Sequence, residues 1–354
     1  MAPGRTVGGA PDKAWSPQAR TSLGDISLPG YHDFALVARG GDSVVYRARQ
    51  DGLDRPVAVK VVLLDADGSE GRATLARFQR ELEITVRLGR AHPHIVTVLD
   101  TQVTRDGQPC IVMEYYDLGS LHDQLRAHGP LVPSAVVTAG TVVADALAFA
   151  HGQGVLHRDV KPQNILVLPT SYVLADFGLA HHVDAGHSAS LERFSYRHAA
   201  PQVLDGEYPT VADDIYALGS TLFTLLDGRP PFAVDDPDAD TALAYLRRAR
   251  TEPPRPIRDS AAPPELLAII DRCLAKSRED RFPDAESLRA ALAAVVTEAR
   301  IWAPGRSAAP APAVVAPVRE PAPAALVVPA ASAVPAALVA PAALVAPAAS
   351  ATPA

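Results

Sequence analysis

His157-Arg158-Asp159-Val160-Lys161-Pro162-Gln163-Asn164 puts a carboxylate, an ammonium and a side-chain amide on one short loop, and Asp176-Phe177-Gly178 adds a second carboxylate a little later. A carboxylate can accept a proton, an ammonium can hold an anion, and an amide oxygen beside a carboxylate can hold a hard cation. Taken singly, each residue reads as a solvated loop charge; at this fixed spacing they form a pattern that chance seldom produces. The choice of cation points the same way. Arginine supplies nearly all the positive charge, and the only lysines are Lys13, Lys60, Lys161 and Lys276. A lysine in this loop, and another after Val57-Ala58-Val59, suggests places where a compact ammonium is needed, since a guanidinium differs in shape and hydration.

The 354 residues, 48% of them apolar, suffice for two lobes or two modest domains plus tails. A net charge of -7 gives no electrostatic footprint for nucleic acid or an anionic membrane surface, so neither is expected as a partner. Cys110 and Cys273 lie far apart without metal-ligand spacing and read as buried thiols in a reducing, cytoplasmic compartment. Arg5, Asp12 and Lys13 stand among Pro, Gly and Ser with no apolar core for export, and residues 1–28 read as a flexible leader. Beyond Trp302 the composition turns to Ala, Pro, Val and Leu, with a near-repeat around Pro335, Pro341 and Pro347 and no charge after Glu320. Such recurrent proline breaks any helix long enough to cross a bilayer, so residues 299–354 read as a disordered, partly polyproline II tail and membrane association is not expected.

Between these ends the text is patterned. Phe34 to Val37, Ser43 to Ala48 and Pro56 to Val62 read as short strands separated by Gly and Asp turns, an antiparallel meander. Thr74 to Leu88 reads as a helix with Leu75, Phe78, Leu82, Thr85 and Val86 at helical spacing, and His94 to Leu99 and Cys110 to Met113 as two further strands. Leu121 to His128 and Ser134 to Gln153 read as helices, the second with a long apolar stripe that delivers the chain to the His157 loop. Leu266 to Ala275 and Asp284 to Arg300 are the closing helices.

From Tyr31 to Val296 this order of motifs resembles a bacterial eukaryotic-type (Hanks-type) serine/threonine protein kinase. The resemblance implies an α+β, protein-kinase-like two-lobed fold over residues 29–298: an N-lobe (29–116) of five antiparallel strands with one helix, and a mainly helical C-lobe (117–298). It implies transfer of the γ-phosphoryl group of ATP to serine or threonine hydroxyls of protein substrates, with autophosphorylation, in bacterial signalling, and Mg2+ (or Mn2+) as the metal.

The same resemblance assigns roles. Asp159 accepts the substrate hydroxyl proton, Lys161 steadies the γ-phosphate, and Asn164 and Asp176 hold the metal. Lys60 holds the α- and β-phosphates and pairs with Glu81, which shares a helix stripe with Phe78 and Thr85 as Glu83 does not. The stretch Ala38-Arg39-Gly40-Gly41-Asp42-Ser43 covers the nucleotide. Val45, Ala58 and Leu166 sandwich adenine, the backbone of Glu114 and Tyr116 meets its edge, and Met113 guards the deeper pocket. Arg158 engages a phosphorylated activation loop whose candidate sites are Ser188, Ser190 and Ser195. Asp214 in Asp213-Asp214-Ile215-Tyr216 hydrogen-bonds the catalytic-loop backbone.

Three stretches depart from the family pattern. In the glycine loop only Gly40 matches, with Ala38 and Ser43 at the other two glycine positions, which reduces backbone freedom there. Gln202 stands where a glutamate would face Arg281, and Phe194-Ser195 where Gly-Thr would begin the substrate platform. The altered glycine loop and Gln202 keep a nucleotide-binding pseudokinase scaffold in view as an alternative. A second rival, a small-molecule phosphotransferase of related fold, is opposed by the Lys161 loop, the long segment from Leu179 to Ala199 and the Asp213-Asp214 motif. The sequence leaves the physiological substrate, the activating signal and the oligomeric state open.

Overall fold

A computed structural model describes residues 26–40, 43–63, 82–177, 196–236, 238–258 and 262–296. Five strands, β1 (Tyr31–Arg39), β2 (Ser43–Gln50), β3 (Arg55–Val62), β4 (Val98–Val103) and β5 (Pro109–Glu114), form one antiparallel sheet in the order β1-β2-β3-β5-β4. Strand β3 sits at its centre, and its alternation decides where Lys60 points. Val57, Val59 and Val61 enter an apolar cluster on one face with Leu28, Tyr31, Ala48, Cys110 and Val112. Ala58 enters the cluster on the other face with Leu82, Val96, Ile111, Met113, Val173 and Ala175. With a side-chain period of two, Lys60 shares the face of Ala58.

Helix α1 (82–91) packs on that second face through Leu82 and Leu88, both buried. Strand β4 begins at Val98, later than the expected His94 to Leu99. The Ile95-Val96-Thr97 run has strand composition, but its backbone is used elsewhere. Val96 N–H donates to Leu174 O at 3.0 Å and Leu174 N–H to His94 O at 2.9 Å. This short parallel pairing ties the N-lobe to the strand that leads into Asp176.

The second lobe comprises α2 (Leu121–His128), α3 (Pro133–Gly152), β6 (Ile165–Val167), β7 (Tyr172–Leu174), α4 (Pro201–Leu204), α5 (Val211–Asp227), α6 (Ala242–Thr251), α7 (Pro264–Cys273) and α8 (Ala285–Ala293). Helix α5 is its axis: every residue from Asp213 to Asp227 is buried. Thr210 and Asp213 form a reciprocal cap at its start, and Gly228 (φ 90) ends it in the left-handed conformation that glycine adopts without strain. Gly219 lets α7 approach closely, since a Cβ there would lie 2.3 Å from the Cβ of Cys273. Helix α3 is long and apolar enough to cross a membrane by composition. Here Val136, Val143, Ala144 and Leu147 are fully enclosed, and it packs on α5 and α8 as a core helix.

Candidate active site

The His157 loop is built on Asp214. This carboxylate, 2% exposed on α5, accepts the His157 N–H at 2.8 Å, the Arg158 N–H at 2.7 Å and His151 Nε2 at 2.8 Å. Burial alone would push Asp214 up; the His151 contact and the His157 N–H outweigh it and hold its carboxyl below the usual range. The anchor is needed because Arg158 has φ 68, a conformation that costs a non-glycine residue about 1–3 kcal/mol. Val160 is fixed from the same helix, its carbonyl accepting Thr221 Oγ1 at 3.3 Å.

His157 links this loop to the second acid. Its Nε2 faces Ala175 O at 2.9 Å and its Nδ1 faces Asp159 N–H at 3.2 Å, so one neutral tautomer satisfies both contacts. Burial accordingly lowers its pKa, against the pull of Asp214. Ala175 N–H in turn donates to Asn164 O at 2.8 Å, which sets the amide and the Asp176 carboxylate in register.

The charged groups converge. Lys60 Nζ lies 2.7 Å from Asp176 Oδ2, with 12% and 29% of the two side chains exposed, and Lys161 Nζ lies 2.7 Å from Asp159 Oδ2. Asn164 donates its amide N–H groups to Asp159 O at 2.8 Å and Asp159 Oδ2 at 3.0 Å, which leaves its carbonyl oxygen as the group to offer a cation. Burial would raise Asp176, yet the Lys60 ammonium, with Lys161 beyond it, holds it below the usual carboxylate range. An ionised carboxylate and an amide oxygen are hard donors, too few to enclose an ion but suited to Mg2+, which commonly takes one or two protein ligands plus phosphate oxygens.

Beside this polar end lies an apolar one. Val45, Ala58, Met113, Tyr116 and Leu166 belong to a single cluster between the sheet and the β6–β7 hairpin. The Tyr116 N–H has no hydrogen-bond partner among the described residues, so a donor is left open at the hinge that follows β5. Glu114 is exposed, its carboxylate receiving the Tyr116 hydroxyl at 3.2 Å. Ala38 ends β1 with Arg39, Ser43 starts β2, and Gly40 N–H donates to Ser43 O at 2.8 Å. A Cβ at Gly40 would meet nothing closer than 3.6 Å, so the turn itself does not demand glycine there. Gly41, Glu81, Ser188, Ser190 and Ser195 lie outside the described residues.

Gln202 shows how one departure is accommodated. Its Oε1 accepts Arg281 Nη2 at 2.8 Å and its Nε2 donates to Lys276 O at 2.7 Å. Arg281, 1% exposed, also reaches Ala275 O, Ala212 O, Asp213 Oδ1 and Lys276 O, so all five guanidinium N–H groups are used. Its charge is balanced by Asp213 at 3.2 Å, which Arg278 also engages. The glutamate substitution Gln202→Glu would therefore strengthen one hydrogen bond but turn a carboxylate oxygen toward the Lys276 carbonyl. We expect its melting temperature to stay within about 3 °C of wild type, a shift of about 1 kcal/mol or less; thermal denaturation of the two proteins checks this.

Two contributors were not found by reading the sequence: His151, whose partner lies 63 residues away, and Asp213, read only as the neighbour of Asp214. The one available signal for His151 was its place on the last turn of the helix leading into the His157 loop.

The profile of the protein kinase domain family matches residues 31–292. The chain belongs to that family. It is 41% identical over 256 residues to serine/threonine-protein kinase PknK of Mycobacterium tuberculosis, covering 71% of this chain and 22% of the relative. It is 36% identical over 320 residues to serine/threonine-protein kinase pkn3 of Myxococcus xanthus (86% and 57%), and 36% identical over 266 residues to serine/threonine-protein kinase PknB of Mycolicibacterium smegmatis (73% and 41%). The chain thus spans between 22% and 57% of the length of these relatives. Members of this family use ATP and a divalent metal, and the two-lobed architecture of the chain is that of the family.

Proposed function

We propose that this kinase domain transfers the γ-phosphoryl group of ATP to serine or threonine hydroxyls of proteins. The observation that carries the reading is the contact of Lys60 with Asp176 beside the Asp159, Lys161 and Asn164 unit, at the polar end of an apolar cleft. Lys60 holds the α- and β-phosphates. Asp159 orients the acceptor hydroxyl and takes its proton, while Lys161 holds the transferred group. The backbone of Glu114 and Tyr116 meets the adenine edge, with Val45, Ala58 and Leu166 on its faces and Met113 behind. Ala38, Gly40, Gly41 and Ser43 close over the phosphates, and Glu81 pairs with Lys60. With Mg2+ bound at Asn164 and Asp176, charge developing between the β- and γ-oxygens would be neutralised.

The serine/threonine preference is supported by Lys161 two places after Asp159 and by the relatives, which are named serine/threonine-protein kinases. Control by autophosphorylation at Ser188, Ser190 or Ser195 is supported by Arg158, whose exposed guanidinium makes no ion pair among the described residues. Two buried free thiols, Cys110 and Cys273, suit a reducing cytoplasm.

The test is transfer of labelled γ-phosphate from ATP to a serine/threonine peptide mixture, with small metabolites offered in parallel. Asp159→Asn is expected to lower the rate at least about a hundredfold. Labelling of metabolites alone, or equal peptide labelling by wild type and variant, would contradict the reading.

A further inference from the structure

Arg197 lies beside the catalytic loop because neighbouring residues of α5 hold both. Ser220 Oγ donates to Arg197 O at 3.1 Å, and Thr221 Oγ1 donates to Val160 O at 3.3 Å. Tyr245 on α6 also gives its hydroxyl to Arg197 O, at 2.7 Å, so the backbone here is held whatever side chain it carries. Next along the chain His198, itself buried, faces Ser220 Oγ through Nδ1 at 3.1 Å. Burial first, then Lys161, Arg197 and His122, push its pKa down to about 3. The ground between Lys161 and Arg197 is electropositive.

The Arg197 guanidinium is already aimed. Its central carbon lies 5.2 Å from the Tyr196 ring centroid and 5.0 Å from that of Tyr245. Nη1 donates to Asp240 Oδ2 at 2.7 Å and Nη2 to Asp240 O at 3.4 Å. Asp240 is shared, however. Its other carboxylate oxygen receives buried Arg248, which spends further N–H groups on Phe232 O and Ala239 O. Two guanidinium groups on one carboxylate leave one positive charge in excess. That charge surfaces at Arg197, whose side chain is 32% exposed against 10% for Arg248. Three of the five N–H groups of Arg197 have no partner among the described residues. Asp235, on the segment that leads to Asp240, is taken up by Arg229 and Arg258, and among the described residues Asp236 and Asp238 pair with neither guanidinium.

An acceptor hydroxyl presented to Asp159 brings its flanking residues across the ground beside the catalytic loop. We propose that Arg197 is a specificity-determining residue: it pairs with an anionic side chain close to the acceptor serine or threonine, so that the substrates are acidic protein segments. A carboxylate and the phosphoryl group of an already modified residue share this chemistry, and a half-exposed guanidinium with free N–H groups suits either. The inference rests on the phosphotransferase reading and names what that reaction accepts.

The test uses the full chain and serine peptides of otherwise neutral sequence, with Glu, Gln, Lys or phosphoserine placed in turn at each position flanking the acceptor. Wild type is expected to show a kcat/KM about five- to tenfold higher for Glu than for Gln at one position or more, carried by KM and weakened by salt. Arg197→Gln leaves Asp240 to Arg248 and is expected to bring the Glu peptide down to the level of the Gln peptide. Arg197→Glu is expected to turn the preference toward Lys, which a merely structural role would not do. A preference for phosphoserine over Glu that is lost in Arg197→Gln supports the pairing and assigns the anion to an already phosphorylated segment. Equal rates on the Glu, Gln and phosphoserine peptides overturn the proposal, as does a preference that survives in Arg197→Gln or an equal loss on every peptide. If wild type labels no peptide, the phosphotransferase reading fails by itself, and anisotropy titrations of fluorescent Glu and Gln peptides still decide the charge preference.

Discussion

Asp176→Asn is expected to reduce phosphoryl transfer about a thousandfold or more while the protein still folds. The substitution preserves shape and leaves an amide oxygen to accept from Lys60, so the 2.7 Å contact can persist as an ammonium-to-amide hydrogen bond. What disappears is the negative charge that offsets Lys60 and would bind a divalent cation. Removing a preorganised charge aimed at a developing transition-state charge commonly costs a factor of about a hundred to a thousand, and in phosphoryl transfer more. The loss should fall on kcat and on Mg2+ dependence, with peptide KM little changed. A steady-state rate within tenfold of wild type at saturating Mg2+ would remove Asp176 from the mechanism.

Asp214→Ala should have the largest effect on stability. It strips the His157 and Arg158 N–H groups of their acceptor, leaves half-buried His151 without its partner and releases the strained Arg158 backbone. Removing one side of a buried charged network typically costs about 3–5 kcal/mol, equivalent to a fall in melting temperature of roughly 10 °C for a domain of this size. Activity should drop with it, because Asp159 sits one residue beyond the anchored pair. The pH dependence has a defined sign. Asp214 and Asp176 both titrate below the ordinary 3.8 in the folded protein, so their stabilisation is full above that value. It drains away as pH falls below 3.8 toward the folded pKa values. Thermal melts from pH 6 downward should show this acid limb in wild type and a shallower one in Asp214→Ala; parallel limbs would mean that Asp214 is not a source of it.

Local signals made much of the fold legible. Helix α2 runs from Leu121 to His128 as expected because Ser120 and Asp123 cap each other at its start, a device readable from four consecutive residues. The alternation in Val57-Ala58-Val59-Lys60 places the lysine on the face opposite Val57 and Val59, with Ala58. The reading failed at His94 to Leu99, where β-branched residues pair with β7 across the lobes instead of extending β4. Composition specifies an extended backbone, but the choice of partner strand is a tertiary matter.

The candidate site divides along the same line. Asp159, Lys161, Asn164 and Asp176 stand in two short stretches whose spacing is itself the signal. His151 acts through a partner 63 residues away, and alone it looks like an ordinary helix residue. Gln202 is intermediate: the weakened pair with Arg281 was foreseeable, whereas the transfer of charge balance to Asp213 required the geometry.

The account depends on Lys60, Asp159, Asn164 and Asp176 meeting at the end of a triphosphate. A crystal of the full chain with Mn2+ and a non-hydrolysable ATP analogue, read for the anomalous signal of the metal, tests this most directly. The predicted result is a Mn2+ peak within about 2.5 Å of Asn164 and Asp176 oxygens and bound to the β- and γ-phosphates. A nucleotide-bound crystal whose metal lies away from both residues, or whose phosphates lie away from Lys60, would contradict it.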